Sequence, residues 1–296
     1  MEPQKHYVQL ITLLLSSARL FGQELLRLED TENDIEQNVA VSNETINAYD
    51  LGVHMGIINP EKYPLKSFEI DERNIFRDLY KNYLSFNGSR QINYQDWLVM
   101  NNFGILPDIK QSLFEKKRVR RSANEKKLFT SNVKKGDILI SARSVGGLAG
   151  HAALMSSDYW VLEMAGGRGW RRGIPDNNRQ ISKDEWYDEF SSEWITVYRC
   201  RRNDKARDAA IWADAQYYNP VGGGKKMKHI TYLLTDEIWN TDPSYCAKLV
   251  MQAFYFGTGK SKVTRNLARV EGLIGPATIP SLFHKKYKLD MVGRFR

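Results

Sequence analysis

Cys246 stands in the run Asn240-Thr-Asp-Pro-Ser-Tyr-Cys-Ala-Lys-Leu-Val-Met-Gln-Ala-Phe254, whose residue types predict a buried helix from about Pro243 to Phe256. Asp242 suits an N-cap and Pro243 a first helical position. Leu249, Val250, Ala253 and Phe254 supply an apolar face, and Gly257 a C-terminal cap. A cysteine in that first turn sits at the positive end of the helix dipole, which favours the nucleophilic, anionic sulfur. The same position also suits a cysteine that only fills a core.

A nucleophilic thiol needs a base, and the base needs a group that orients it. His6 lies near the start of the chain, and His229 and His284 stand beside lysines. His54, in Leu51-Gly-Val-His-Met-Gly56, has no acidic residue on a following strand. His151 opens the run Gly150-His-Ala-Ala-Leu-Met155, just after Gly146 and Gly147. The next run, Tyr159-Trp-Val-Leu-Glu-Met164, carries Glu163 among apolar neighbours, where an unpaired carboxylate is costly to bury. A hairpin turning at Ser156-Ser157-Asp158 brings Glu163 within reach of His151; the alternative is a surface glutamate on a half-exposed strand. Cys246, His151 and Glu163 then supply nucleophile, base and orienting group.

The order Gly136-Asp-Ile-Leu, Gly150-His-Ala-Ala-Leu, Val161-Leu-Glu-Met-Ala and Tyr245-Cys-Ala-Lys-Leu-Val resembles the circularly permuted NlpC-type cysteine hydrolases. That group includes the YiiX-like and YaeF-like proteins, with lecithin retinol acyltransferase as a distant relative. The resemblance covers about residues 133–256. It implies a permuted papain-like α+β domain whose antiparallel sheet packs on the nucleophile helix. It also implies His151 as base, Glu163 as third polar residue and Cys246 as nucleophile, with Tyr245 and Gly150 as substrate or oxyanion candidates. Glu163 in third place, and the lack of an Asn-Cys-Glu-His motif, depart from the retinol acyltransferase branch. No cofactor and no metal is implied.

These residues need a scaffold, and the chain is long enough to build one. It has 296 residues, against a prior of roughly 150 per domain. With 42% hydrophobic, 11% aromatic and 26% charged residues it is an ordinary globular chain, which excludes wholesale disorder. Two cysteines, Cys200 and Cys246, exclude a disulfide scaffold and a cysteine-based zinc cluster. Cys200 closes an alternating strand and reads as a small buried hydrophobe. No apolar run reaches the ~18 residues of a spanning helix. The Gly257-Thr-Gly-Lys-Ser261 stretch lacks the first glycine of a phosphate loop and follows a helix instead of a strand.

Three segments are expected: a mostly helical N-terminal region at 1–109, a basic linker at 110–132 and the hydrolase domain at 133–296. The first contains a helical stretch from Asp71 to Leu84 and turns at Asn59-Pro60, Asn87-Gly88 and Leu106-Pro107. Residues 1–18, with the apolar stretch Val8–Leu15 before Ser16-Ser17-Ala18, read either as a signal peptide or as the start of an amphipathic helix running to Leu28. The first reading implies a secreted or envelope protein, the second a cytoplasmic one. An acidic connection follows at Glu24–Glu36. The formal charge of +8 is concentrated between Lys110 and Lys135, where ten basic residues face two acidic ones, leaving the remainder at 33 against 33. That segment, with Arg118-Val119-Arg120-Arg121, reads as a solvated linker or as a contact for an anionic partner, and lacks a base-stacking platform.

The expectation for function is a thiol amidase or peptidase passing through a thioester acyl-enzyme on a peptide or acyl-amide substrate. Two alternatives stand beside it. One is a non-catalytic binding module that uses the basic segment, and the other an acyltransferase with the same three residues. The glycine- and arginine-rich stretch from Gly166 to Gly173 is a substrate wall or a plain loop.

Overall fold

The computed structural model describes residues 41–86, 91–115, 123–267 and 272–296. The chain divides into two compact units, Met1–Ile46 and Asn47–Arg296. Only residues 41–46 of the first are described. The signal-peptide reading, the acidic connection, the Asn87-Gly88 turn and Arg118–Arg121 therefore all lie outside the described residues.

The protein is mixed α+β, with a helical N-terminal region and an antiparallel sheet. Helix α1 (Asn43–His54) leads to a continuous helical run of α2 (Leu65–Asp71), a π-helical turn (Glu72–Phe76) and α3 (Arg77–Leu84). Helix α4 (Tyr94–Met100) follows, capped by the Asn93 side chain, which accepts from the Asp96 N–H at 2.8 Å. A small hairpin of β1 (Ile105–Leu106) and β2 (Gln111–Ser112) surrounds the Leu106-Pro107 turn. Helix α5 (Ala123–Asn132) then precedes the main sheet.

That sheet holds β3 (Ile138–Ser141), β4 (His151–Met155), β5 (Trp160–Met164), β6 (Asn178–Ser182), β7 (Ile195–Cys200) and β8 (Leu289–Phe295) in the order β6-β5-β4-β3-β7-β8. Every neighbouring pair is antiparallel. The central strands are buried on both faces, and their alternate residues feed two cores. Ala152, Leu154, Leu162 and Met164 join the larger core with α7 (Asn203–Tyr217), α8 (Cys246–Gly257) and the aromatic residues of the N-terminal helices. Ala153, Met155 and Val161 join a second core with Phe129 of α5 and with Trp186 and Phe190 of α6 (Lys183–Phe190). Helix α6 begins on a capping box in which the Ser182 hydroxyl accepts from the Glu185 N–H.

Two details of the helix that begins at Cys246 differ from the sequence reading. It begins at Cys246 instead of Pro243, with Tyr245 as N-cap. The chain stays extended through Ser244, because Ser244 bonds the Thr231 carbonyl and the Leu233 N–H, each at 2.9 Å. Asp242 caps no helix; its carboxylate accepts from the Thr231 N–H. Gly257 closes the helix for a packing reason: a Cβ there would stand 2.8 Å from Trp212 Cβ and 2.9 Å from the Asp208 carbonyl, so only glycine lets α7 and α8 approach this closely.

Candidate functional site

The β4–β5 hairpin registers Leu154 against Leu162 and Met155 against Val161. Counting back, Glu163 lies opposite Ala153, one diagonal step from His151 on the same face. Diagonal neighbours on one face are within reach of long side chains. His151 Nε2 and Glu163 Oε2 are 2.7 Å apart, and both residues are fully buried. The sequence expectation that a hairpin would join them is met in this geometry.

Glu163 is held by two further residues. The Trp186 indole N–H donates to Oε2 at 2.9 Å. Arg179, opposite Glu163 on β6, donates through Nε to Oε1 at 2.7 Å and also pairs with Glu189. Burial pushes the Glu163 carboxyl up, yet the hydrogen bonds and charges of His151, Arg179 and Trp186 outweigh it and hold the group down at about 2. For His151, burial alone would lower the imidazole. Its hydrogen bonds to Cys246 and Glu163, with the charges of both, prevail and raise it. The Phe190 ring stacks on the imidazole at 5.3 Å and 9°, and on Trp186 at 4.3 Å, shielding the pair from water.

Cys246 arrives from the other face. Helix α8 packs across β4 and β5, bringing its first residue to the end of β4 where His151 stands, close enough for thiol and imidazole to influence each other electrostatically. Since Nε2 is engaged with Glu163, Nδ1 is the ring nitrogen left open, and it is buried without a conventional partner. Cys246, His151 and Glu163 all have no exposed surface. The other cysteine, Cys200, is a free buried thiol whose S–H points at the Tyr287 carbonyl.

The two remaining site candidates are engaged elsewhere. The Tyr245 hydroxyl accepts from the Ile274 N–H at 2.9 Å. The Gly150 N–H donates to the Ser144 hydroxyl at 3.1 Å. Gly150 has φ +88°, and a Cβ there would meet Leu113 at 2.9 Å and the Ser141 carbonyl at 3.0 Å, so the glycine is needed for close packing beside His151.

Three residues that the sequence reading passed over belong to the same neighbourhood. Tyr232 is fully buried, and its hydroxyl has no hydrogen-bond partner. Its backbone bonds Ile174 in both directions and bridges to Ser244, two residues before the cysteine. Burial, followed by the charges of Cys246 and Tyr245, keeps this phenol protonated well above the usual range. Lys248 is a fully buried lysine whose ammonium donates to the Pro243 carbonyl at 2.8 Å and to the Glu237 carbonyl, and burial lowers it to about 8. Gln252, one turn further along α8, donates to the Asn240 carbonyl at 2.9 Å and accepts from the Tyr217 hydroxyl at 2.7 Å. Together Lys248 and Gln252 tie the loop at 237–243 to the helix it feeds and so fix the approach to Cys246. A lysine among Ala247, Leu249 and Val250 was the available signal for this clamp.

Two glycine-containing loops pack against Tyr232, the buried neighbour of Cys246, and we take them as the roof of the site. A Cβ at Gly146 would lie 3.1 Å from the Tyr232 hydroxyl and 3.5 Å from Trp170, and one at Gly166 would collide with Val145 at 2.2 Å. The stretch at Gly166–Gly173 is thus part of a wall closed against residues 145–147 and Tyr232.

A family model described as lipoprotein N-acylation protein LnsA-like matches residues 103–295. A protein from Bacillus thuringiensis, described as an uncharacterized 30.3 kDa protein, is 33% identical over 198 residues, covering 66% of this chain and 68% of that protein. No solved structure matches. The matched family is distinct from the YiiX-like hydrolases that the motif order resembles, and only a loose link to a hydrolase-like fold remains.

Proposed function

From the premise that the chain belongs to the lipoprotein N-acylation protein LnsA-like family, we propose that it is an acyltransferase that forms a thioester on Cys246 and passes the acyl group to an amine. This was the second alternative of the sequence reading, and it now takes precedence over the amidase. The acceptor suggested by the family's description is an amino group of a lipoprotein; for the donor we propose an ester-linked lipid. The observation that carries the reading is the complete burial of Cys246, His151 and Glu163. A site that excludes water protects a thioester from hydrolysis until an amine arrives.

In the first half-reaction the Cys246 sulfur attacks the donor carbonyl with the His151 imidazole beside it already in its charged form. The imidazolium, stabilised by Glu163, then protonates the departing alcohol oxygen as the ester C–O bond breaks, leaving the thioester. In the second half-reaction His151 takes a proton from the attacking amine, the C–S bond breaks, and the proton passes to sulfur. The negative oxygen formed in each step would be met by the Cys246 N–H at the helix start and by the unpartnered Tyr232 hydroxyl.

The test is to incubate the protein with an ester-linked lipid donor and a lipopeptide bearing a free amino terminus. Peptide mapping should find the acyl group on Cys246 when acceptor is withheld, and N-acylated lipopeptide when it is supplied. Release of free fatty acid at the same rate with and without acceptor would return the protein to the hydrolase reading. Transfer by the Cys246→Ala protein would remove the mechanism altogether.

A further inference from the structure

Outside residues 110–135 the sequence is charge-neutral, but the fold does not leave it evenly mixed. Residues 166–178 and 219–232 are distant in sequence and adjacent in space. The Asn177 N–H bonds the Ile230 carbonyl at 2.8 Å, Ile174 and Tyr232 exchange backbone hydrogen bonds, and Lys226 pairs with Asp176. The two segments carry six Lys and Arg (Arg168, Arg171, Arg172, Lys225, Lys226 and Lys228) against the single acid Asp176. Arg171 is engaged with Asn82 and Ser85, and Lys226 with Asp176. Arg168, Arg172, Lys225 and Lys228 have no ion-pair partner among the described residues.

Two exposed apolar side chains lie in the same segment as three of these lysines. Val221 is 78% exposed, beside Gly222-Gly-Gly224, and Met227 is 47% exposed between two lysines. Cations interleaved with projecting apolar groups on a loop are the pattern of interfacial lipid binding, in which charge attracts the headgroups and the apolar tips enter the acyl boundary. No exposed Trp, Tyr or Phe stands in these loops to stack on a base, which disfavours a nucleic acid. The loops also have a functional position. Gly166 and Trp170 of one, and Tyr232 of the other, help to roof the Cys246 site.

We infer that the surface formed by the loops at 166–178 and 219–232 docks the protein on an anionic lipid surface, with the roof of the acyl-transfer site facing the membrane. This inference rests on the acyltransferase reading for its purpose, since both substrates of that reaction are lipid-anchored. Among the described residues no helix is long and apolar enough to cross a membrane. Docking against these loops also gives a route by which the roof would open only where substrate is present.

The test uses the full chain in flotation with vesicles of phosphatidylcholine alone and of phosphatidylcholine with one third phosphatidylglycerol. Each cation near an anionic surface contributes about fivefold in partitioning, so the triple variant Arg168→Gln, Lys225→Gln, Lys228→Gln should bind the phosphatidylglycerol vesicles on the order of 100-fold more weakly. Val221→Ser should weaken binding without changing the net charge. Native binding should fall steeply between 0.1 and 0.5 M salt, and the triple variant should keep its transfer rate from a short-chain, water-soluble ester to a soluble amine. Equal vesicle binding by native and triple variant, or equal native binding to both vesicle types, overturns the docking surface. Preferential native binding to polyglutamate over the anionic vesicles overturns it in favour of an acidic polypeptide. Loss of soluble-ester transfer in the triple variant also counts against it, by placing these cations in the site. Soluble-ester transfer by Cys246→Ala would instead refute the acyltransferase reading and leave the vesicle result standing.

Discussion

Replacing Glu163 by glutamine tests whether the buried carboxylate is an ionised partner of His151. Its carboxyl is held near 2 against an ordinary 4.5, an interaction worth about 3 kcal/mol in favour of the charged form. Breaking one side of a buried ion pair costs about 3–5 kcal/mol. The lower end applies here, because Arg179 keeps Glu189 as a partner. The glutamine also turns amide hydrogens toward donors, since His151, Trp186 and Arg179 all approach this group. Urea unfolding at pH 6 should therefore show Glu163→Gln less stable by about 3 kcal/mol, with the denaturant slope unchanged. The pH dependence carries a sign. The Glu163 carboxyl is depressed on folding, so its contribution is present above about 4.5 and is lost as pH falls toward 2. The His151 imidazole is raised, so its contribution is full below 6.5 and is lost as pH rises toward about 10. Native stability from this pair is greatest between those limits, and the gap between native and variant should close on acidification. A variant within about 1 kcal/mol of native at pH 6, or a gap that widens toward pH 2, would refute the buried ion pair.

Three further outcomes are expected. Tyr232→Phe removes a hydroxyl that has no partner in the folded protein, so urea stability should stay within about 0.5 kcal/mol of native or rise, while acyl transfer falls about 100-fold if the phenol meets the developing oxyanion. A transfer rate unchanged by this substitution would exclude that role. Iodoacetamide should label Cys246 slowly in the folded protein, because the thiol has no exposed surface, and more rapidly when anionic vesicles are present; equal rates in both conditions would argue against opening of the roof. Gly257→Ala should cost about 1–3 kcal/mol through the contacts at 2.8 Å and 2.9 Å with α7, read as a lowered urea midpoint, and a neutral result would mean that α7 can shift freely.

The catalytic candidates were legible because their signals are local and costly to ignore. A glutamate between Leu162 and Met164, two residues after Val161, demanded a partner, and the short turn at Ser156–Asp158 set which strand could provide it. The helix start at Cys246 was misjudged by three residues because its cause is not local. Asp242 and Pro243 have the chemistry of a helix N-terminus, but Thr231 and Leu233, more than ten residues earlier, hold Ser244 extended and deny the helix its first turn. Strand β6 and helix α6 were invisible for a related reason. Arg179 and Trp186 lie in a stretch rich in polar residues, and their placement against Glu163, a partner on another strand, follows from no periodicity of their own. The choice between water and an amine as the acyl acceptor was the least legible of all. Nucleophile, base and orienting carboxylate are common to both reactions, and what separates them is access. Access here is set where Val145 meets Gly166 and Tyr232 meets Gly146 and Ser244, contacts between segments that no single window of sequence contains. A closed roof makes hydrolysis slow without making transfer fast. On the acyltransferase reading the roof would have to open toward the acceptor and not toward bulk water, and the loops that would have to move are the ones carrying Arg168, Lys225 and Lys228.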